Sequence, residues 1–484
     1  MKSRVWRLVA TLAISALLAV PVRLAAQQQQ RANKTRYKLI DLGTLGGPAS
    51  GFSPFNQVIL NEAGVAVGGS DTSTSDPNYP NFNFFVAPNP QDPFIQHALQ
   101  WQNGVVSDLG ALPGTNSSYA NWVNASGIAV GNSGNGSIDP LLGWPEVRAV
   151  VWKDGQIKDL GTFGGYESSA SAINRHGWVV GAATNTVSDT ICGLGTQCRA
   201  FLWDEKNGMR DLGTLGGPGA FAVFVNDLGQ VAGNSFVDAT DPFTHAFLWE
   251  KGKMQDITTL GGNFSQANYL NNRGQVVGTS TLAGDAITHP YLWDHAKLTD
   301  LGTFGGTFGE ATWINDGGEV VGQANHAGDV IHTTFLWRDG VMKDLGVVAG
   351  DKCSGAYSMN SKGQIVGSSG DCGLSIHGFL WEDGHMVDLN SLIPPGVQLR
   401  FGININDRGE IAAVGKVPNT SDPDFYNLYD HAFLLIPCDE NHRDTDGCKD
   451  GGEGAAAQTS PAGHDASSRI PPLSRIRENY RHRN

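Results

Sequence analysis

Charge is scarce in this chain and uneven in sign. Only 17% of its 484 residues are charged, and 33 Lys and Arg stand against 47 Asp and Glu, a formal net charge of -14 at pH 7. Neutralising phosphate needs clustered cations, so this balance argues against a nucleic-acid partner. The one arginine-rich cluster, Arg469, Arg475, Arg477, Arg481 and Arg483, is confined to the tail and reads as a solvated, disordered end. Helical periodicity is missing as well. No unit of the sequence holds a glycine-free run of about ten residues with a 3.6-residue apolar period, which excludes helical solenoids. Beyond the first residues no apolar run approaches membrane-spanning length. Gly-x-Ser-x-Gly, His-Glu-x-x-His and isolated carboxylate pairs are absent, and no cysteines have C-x-x-C spacing.

What is present in excess is glycine. Sixty-three glycines are too many for a helical protein, while 40% apolar residues and 12 tryptophans are too much core for a disordered one. Short strands joined by glycine turns fit both facts. Residues 1–26 read as an export signal: Lys2, Arg4 and Arg7 precede the apolar run Leu8 to Val20, with Pro21 and the small pair Ala25-Ala26 after it. Cleavage near Ala26 leaves a glutamine-rich leader, 27–36, with no reason to fold. That places the mature chain outside the cytoplasm, secreted or periplasmic. The six cysteines suit such a compartment and fall as near neighbours, so three local disulfides are expected: Cys192 with Cys198, Cys353 with Cys372, and Cys438 with Cys448.

The chain repeats itself. An Asp-Leu-Gly element, or a degenerate form of it, begins at Asp41, Asp108, Asp159, Asp211, Asp256, Asp300, Asp344 and Asp388. An Asn-x-x-Gly element begins at Asn61, Asn124, Asn174, Asn226, Asn271, Asn315, Asn360 and Asn406, and an aromatic element ends at Trp101, Trp152, Trp203, Trp249, Trp293, Trp337, Trp381 and Leu435. The cyclic order never changes, and the later units recur about every 44 residues. Each unit resolves into four strands: one entering the Asn-x-x-Gly turn, one leaving it, the aromatic element, and a fourth after an Asp-Gly or Asn-Gly pair. Such pairs take the positive φ angles of tight hairpins, so the strands they join run antiparallel.

Alternation along the third strand sets His245, Phe247 and Trp249 on one face and Ala246 and Leu248 on the other. With both faces apolar, the sheets must stack face to face, and four-stranded sheets stacked about an axis make a β-propeller. A linear β-solenoid is the alternative, though its coils repeat at shorter intervals. The chain opens with a lone fourth strand, Tyr37 to Leu42, and finishes the repeats with a lone third strand, His431 to Leu435. The expectation is therefore an all-β propeller over 37–437, of eight four-stranded blades, with the N-terminal strand closing the last and removing its open edge. Residues 438–484 form a tail with a small disulfide loop.

The elements His245-Ala246-Phe247 and His431-Ala432-Phe433, with Asp211-Leu212-Gly213-Thr214-Leu215-Gly216-Gly217, resemble the HAF family of extracellular repeat proteins found in bacteria. The resemblance covers about Tyr37 to Pro437. Arg148, Arg199 and Thr333 replace the histidine in units two, three and six, and Ile257-Thr258 replaces Leu-Gly after Asp256. The resemblance implies secretion and a repeat scaffold and no established activity.

Repeated residues make poor sites here. His97, His245, His289, His377 and His431 tolerate Arg or Thr elsewhere in the series, so they read as donors to a neighbouring strand or blade rather than metal ligands. The tryptophans read as core. Gly46-Gly47, Gly164-Gly165 and Gly305-Gly306 precede no helix and are turns between blades, not phosphate loops. Asp444-Thr445-Asp446-Gly447 with Asp450 lacks the closing glutamate of a calcium loop. No metal or cofactor is implied.

Function is expected in the variable loops between second and third strands, which share one end of the ring. Those read from sequence as long are Ser70 to Gln96, with Tyr79, Phe82, Phe84, Phe85 and Phe94; Asn132 to Val147, with Trp144; Ala182 to Cys198; and Gly415 to Asp430, with Phe425, Tyr426 and Tyr429. These aromatics make a binding or interaction module for a glycan or an extracellular protein the leading reading. A secreted polysaccharide hydrolase or lyase and a purely structural surface protein are the alternatives.

Overall fold

The computed structural model describes residues 37–52, 58–79, 93–114, 116–239, 243–373, 375–417, 430–439 and 442. The expected signal peptide, the leader and nearly all of the tail lie outside the described residues.

Tight turns organise the strands. Asn103 and Gly104, Asp154 and Gly155, Asp339 and Gly340, and Asp383 and Gly384 all hold positive φ, which suits a two-residue hairpin to the twist of its strands. Unit five shows the resulting pattern: Gly261–Leu270, Val276–Leu282, Thr288–Asp294 and Lys297–Asp300 pair consecutively and antiparallel. Its first strand carries a bulge between Ala267 and Tyr269. Opposite the bulge lies Gly278, where a Cβ would overlap the Gln266 carbonyl oxygen. That close approach is why the second strand needs glycine there.

Among the described residues the strands form six four-stranded sheets and one of eight strands. The larger sheet is two four-stranded sets joined through a single parallel bridge, Thr288 to Phe308. The architecture is an all-β propeller, with each four-stranded set packed on the next. Its ring closes as the register of the ends required. Tyr37–Asp41 pairs antiparallel with Asp430–Pro437, which continues through Ile411–Lys416 to Gln398–Ile405. The seam to the first set is stitched by Ala432 N–H to Ser50 Oγ at 3.1 Å and Leu60 N–H to Asn404 Oδ1 at 3.2 Å.

The core lies between the sheets. Ala246 and Phe247 point to opposite faces and are both 0% exposed, so each sheet is covered on both sides. The same aromatic position is filled by Phe201, Tyr291, Phe335, Phe379 and Phe433, all fully buried. The tryptophans follow this only in part. Trp101, Trp152, Trp203 and Trp293 are buried, but Trp249, Trp337 and Trp381, at the same register, are half-buried.

Each Asp-Leu-Gly element is a turn held by its own carboxylate. Asp211 Oδ1 accepts from Gly213 N–H at 2.8 Å, and Gly213 has φ 87°. In unit five the same bond runs from Thr258 N–H to Asp256 Oδ1 at 2.6 Å, forcing a β-branched residue to φ 70°. Such a conformation costs about 1–3 kcal/mol, partly offset by the extra freedom glycine gives the unfolded chain. Thr258→Gly is therefore expected to stabilise the fold by about 1 kcal/mol, read as a higher urea midpoint at constant slope; a lower midpoint would contradict the strain.

Candidate functional site

The two ends of the ring differ in kind. At the short-turn end the Asn-x-x-Gly residues form a belt. Asn271 Oδ1 accepts from the N–H groups of Arg273 and Gln275 at 3.0 and 2.9 Å, closing its own turn, while its Nδ2 donates to Asn315 O in the next unit at 3.0 Å. The same donation links Asn61 to Asn124, Asn124 to Asn174, Asn174 to Asn226, Asn226 to Asn271, Asn360 to Asn406 and, across the seam, Asn406 to Asn61. Asn315 instead directs its amide to Glu319 at 2.8 Å. Sequence reading found a turn here; the geometry adds a fastening between blades.

Just inside this belt, two residues before the asparagine, aromatic side chains meet. Trp122 lies 5.9 Å from Phe224 and stacks on Tyr269 at 6.5 Å, and Tyr269 stacks on Trp313 at 3.9 Å. They come from units two, four, five and six, so Trp122 and Tyr269 can touch only across the axis. The channel is filled at this level. Burial drives the Tyr269 hydroxyl to a raised pKa, with Asp316 and Asp227 adding to the rise.

The other end carries the loops, and here the sequence reading needs correction. The stretches Asn132 to Val147 and Ala182 to Cys198 are largely strand: Ala129–Ile138 pairs with Pro145–Lys153, and Val179–Ser188 with Thr196–Asp204; in Ser70 to Gln96 the strands Ala66–Ser75 and Phe94–Gln102 pair out to Ser75 opposite Phe94, and 80–92 lie outside the described residues. Their second strands have 10 residues each, against 6 in units four and seven. Three consecutive hairpins therefore stand proud of the ring, with true loops of only 139–144 and 189–195 in units two and three.

Of the singled-out aromatics, Tyr79 is exposed beyond the first hairpin, Phe94 begins a strand and is half-buried, and Trp144 is half-buried at the root of the second. Phe82, Phe84, Phe85, Phe425, Tyr426 and Tyr429 lie outside the described residues. Disulfides Cys192–Cys198 and Cys353–Cys372 both sit at this end, the first closing the third hairpin's loop; for the expected third pair, Cys448 lies outside the described residues. Exposed apolar side chains that sequence reading passed over also gather here. Ile138, Leu141, Val187, Phe243, Phe308 and Val330 all sit on this end in units two to six.

The repeated histidines resolve into pairs. His245 Nδ1 donates to the Asp256 carboxylate at 3.0 Å, and His289 and His431 do the same to Asp300 and Asp41 at 2.8 Å. His97 reaches Asp108 at 3.0 Å. Where arginine replaces histidine the partner stays: Arg199 Nε meets Asp211 at 2.8 Å. In unit six, Thr333 is bridged by His326, which lies 2.9 Å from its hydroxyl and 3.4 Å from Asp344. His377 departs from this and meets Asp351 at 2.8 Å. The histidine of one motif and the aspartate of another thus tie the third strand to the fourth.

One buried carboxylate group under the second hairpin was not singled out from sequence. Glu167 Oε2 accepts from Val147 N–H at 2.8 Å, and Asp139, Glu146 and Arg148 lie around it. Burial raises the Glu167 pKa to about 8 against the Val147 hydrogen bond, with Asp139 adding to the rise and Arg148 opposing it. A folded-state value above the unfolded one of 4.5 means stability that is full below about pH 4.5 and lost as pH rises through about 8. Glu167→Gln should leave stability at pH 5 nearly unchanged and raise it at pH 9 by a few kcal/mol, flattening the profile of melting temperature against pH. A wild-type profile without a fall between pH 6 and 9 would count against the buried neutral carboxyl.

Among the solved structures to which this chain is similar, three show how remote the likeness is. Pyrococcus horikoshii acylaminoacyl peptidase matches at 10% identity over 76% of this chain and 58% of its own, TM-score 0.39. The β-propeller domain of the Trilobed protease from Pyrococcus furiosus matches at 10% identity, covering 73% of this chain and 98% of that one, TM-score 0.39. TolB from Acinetobacter baumannii matches at 11% identity over 64% and 80%, TM-score 0.30. This chain thus spans little more than half the length of the peptidase. No family model and no curated protein matches. At these values none of the three bears on what this chain binds.

Proposed function

We propose that this protein is a secreted interaction module of the HAF repeat type that presents the loop-bearing end of its propeller to an extracellular polypeptide. The observation that carries the reading is the collection of exposed apolar side chains on that end, on three projecting hairpins and their neighbours. Exposed apolar groups in this number mark interaction surfaces, and aliphatic anchors such as Ile138, Leu141, Val187 and Val330 suit a polypeptide better than a sugar. Among the described residues the opposite end supports no comparable site: its turns are short, its asparagine belt links every unit to the next except six to seven, and aromatic rings meet across its axis. A hydrolytic role finds less support, since the carboxylates of Asp139, Glu146 and Glu167 are buried beneath a hairpin rather than open to a substrate.

The test is to immobilise the mature chain, 27–484, and pass over it a panel of purified extracellular proteins and glycans, scoring retention and product release. Replacing 76–93 by the unit-five turn 283–287, Ala-Gly-Asp-Ala-Ile, should leave folding intact and abolish retention. Retention that survives this graft places the site elsewhere, product release makes the protein a hydrolase or lyase, and absence of both makes it structural.

A further inference from the structure

We propose that the central channel holds a binding site for an organic cation, an ammonium group on an alkyl stem, with the Glu310 carboxylate as its counter-charge. The site lies inside the ring and does not depend on what the loop-bearing end captures.

The channel is shut at one level and open above it. First strands line the axis, since Trp122 and Tyr269 touch across it. Two residues before the belt asparagines, seven of the eight side chains are buried, and the eighth, Tyr269, is wedged between Phe224 and Trp313 at 4.9 and 3.9 Å. Toward the loop-bearing end the burial pattern changes. Along the first strands of units three to six, covered residues alternate with open ones: Ala170 and Ala222 are 0% and 1% exposed, while Ser169, Ser171, Phe221 and Val223 are half-buried. Gln266 is exposed, although Ser265 and Ala267 on either side of it are buried. Neighbouring blades cover both faces of each sheet, so an open side chain in the middle of an innermost strand faces the axis. Solvent therefore reaches this level of the channel and stops at the aromatic floor.

Glu310 stands at the level of Gln266, five residues before its belt asparagine, and is half-buried beside the fully buried Ala311. At the third and fifth positions before that asparagine, in units two to eight, it is the only charged residue. Its Oε1 accepts from Asn268 Nδ2 at 3.2 Å, and its Oε2 from Gln323 Nε2 at 3.5 Å. These amides orient the carboxylate without neutralising it, and no charged group adds to its electrostatics. Burial holds the Glu310 carboxyl above the usual carboxylate range, with the two amides opposing. A cation entering the channel would supply the missing counter-charge.

The chemistry around Glu310 narrows the ligand. One carboxylate among amides and hydroxyls offers too few hard oxygens for a divalent metal, and among the described residues no group of three His, Cys, Asp or Glu gathers to hold one. A primary ammonium has only three protons to place. Glu310 takes the charge, Gln266 on the adjoining blade offers an amide carbonyl, and water can take what remains. Phe221 and Val223, one blade further round, give an apolar wall for the stem.

Such a cation comes either as a free small amine or as the lysine side chain of a polypeptide, and titrations of the full-length protein separate the two. The probes are n-pentylamine, its neutral match 1-pentanol, and the peptide Gly-Ser-Lys-Ser-Gly, each followed by calorimetry. The amine should saturate one site with a Kd on the order of millimolar, and 1-pentanol should not saturate. Glu310→Gln, which keeps a polar group of the same shape, should weaken the amine at least about tenfold, the loss expected of one hydrogen bond to a charged group. Gln266→Lys, which tethers a cation on the adjoining blade, should block the site by a second route. Affinity should rise between pH 5 and 8, because the carboxyl must lose its proton before it can pair and burial moves that loss to higher pH than in an exposed glutamate. Binding of both amine and peptide assigns the site to a lysine side chain, and binding of the amine alone to a free amine. No saturable binding of either, equal binding of 1-pentanol, or an affinity unchanged in both variants overturns the proposal.

Discussion

A chain lacking residues 31–42 is expected to melt well below the intact protein and to aggregate. The deletion removes the strand Tyr37–Asp41, paired residue for residue with Asp430–Pro437 from Tyr37 opposite Pro437 to Asp41 opposite Phe433. It also removes two buried side chains from different clusters: Tyr37, packed with Leu392 and Leu399, and Leu42, packed with Phe52 and Leu434. Losing a large buried side chain costs about 2–5 kcal/mol. Two such losses, with the His431 to Asp41 bond at 2.8 Å and Leu42 N–H to Ala432 O at 3.0 Å, approach the whole stability of an ordinary domain, about 5–15 kcal/mol. What remains is an unpaired edge along Asp430–Pro437, a template for pairing with another chain. Melting followed by scattering, with size-exclusion chromatography at low temperature, reads both effects. An unchanged melting temperature in a monomeric protein would mean that the N-terminal strand does not close the ring.

That closure was legible before any coordinates, because the order of motifs is a topological statement. A lone fourth strand at Tyr37 and a lone third strand at His431 have only each other to complete a sheet. The hairpins of units one to three were not legible. Gly134, Asn135, Gly136 and Ser137 are poor strand formers, and propensity gives them to a loop. Pairing across the hairpin overrides it, since Gly134 lies opposite Val147 and Ile138 opposite Pro145. The histidine role was half legible. Tolerance of arginine showed a donor and not a metal ligand, but its acceptor was hidden, because the aspartate 11 residues on had already been assigned to a separate motif. Only the register of the third and fourth strands shows that the two motifs are one interaction. The carboxylates around Glu167 gave no signal: Asp139 follows its second strand as Asp76 and Asp189 follow theirs, Glu146 and Glu167 come from two different units, and nothing in their spacing says that they are buried together.

Trp293→Ala is expected to cost about 3–5 kcal/mol, and Trp337→Ala clearly less. The two tryptophans occupy the same register, Trp293 opposite Val276 and Leu298, Trp337 opposite Val320 and Met342. What differs is cover. Trp293 is 5% exposed and sits in the cluster containing Val276 and Tyr291, while Trp337 is half-buried at the margin of the cluster around Phe335. Truncating the covered indole leaves a cavity that the β-sheet backbone cannot collapse to fill, so the transfer and cavity losses add. Truncating the half-covered one admits water from the open side and forfeits only the apolar area that was buried, at about 25 cal/mol per Å². Denaturant unfolding of both variants under identical conditions separates the cases. A Trp293→Ala cost below about 1 kcal/mol, or equal costs at the two positions, would mean that the stacking of blades does not cover the third strand as described.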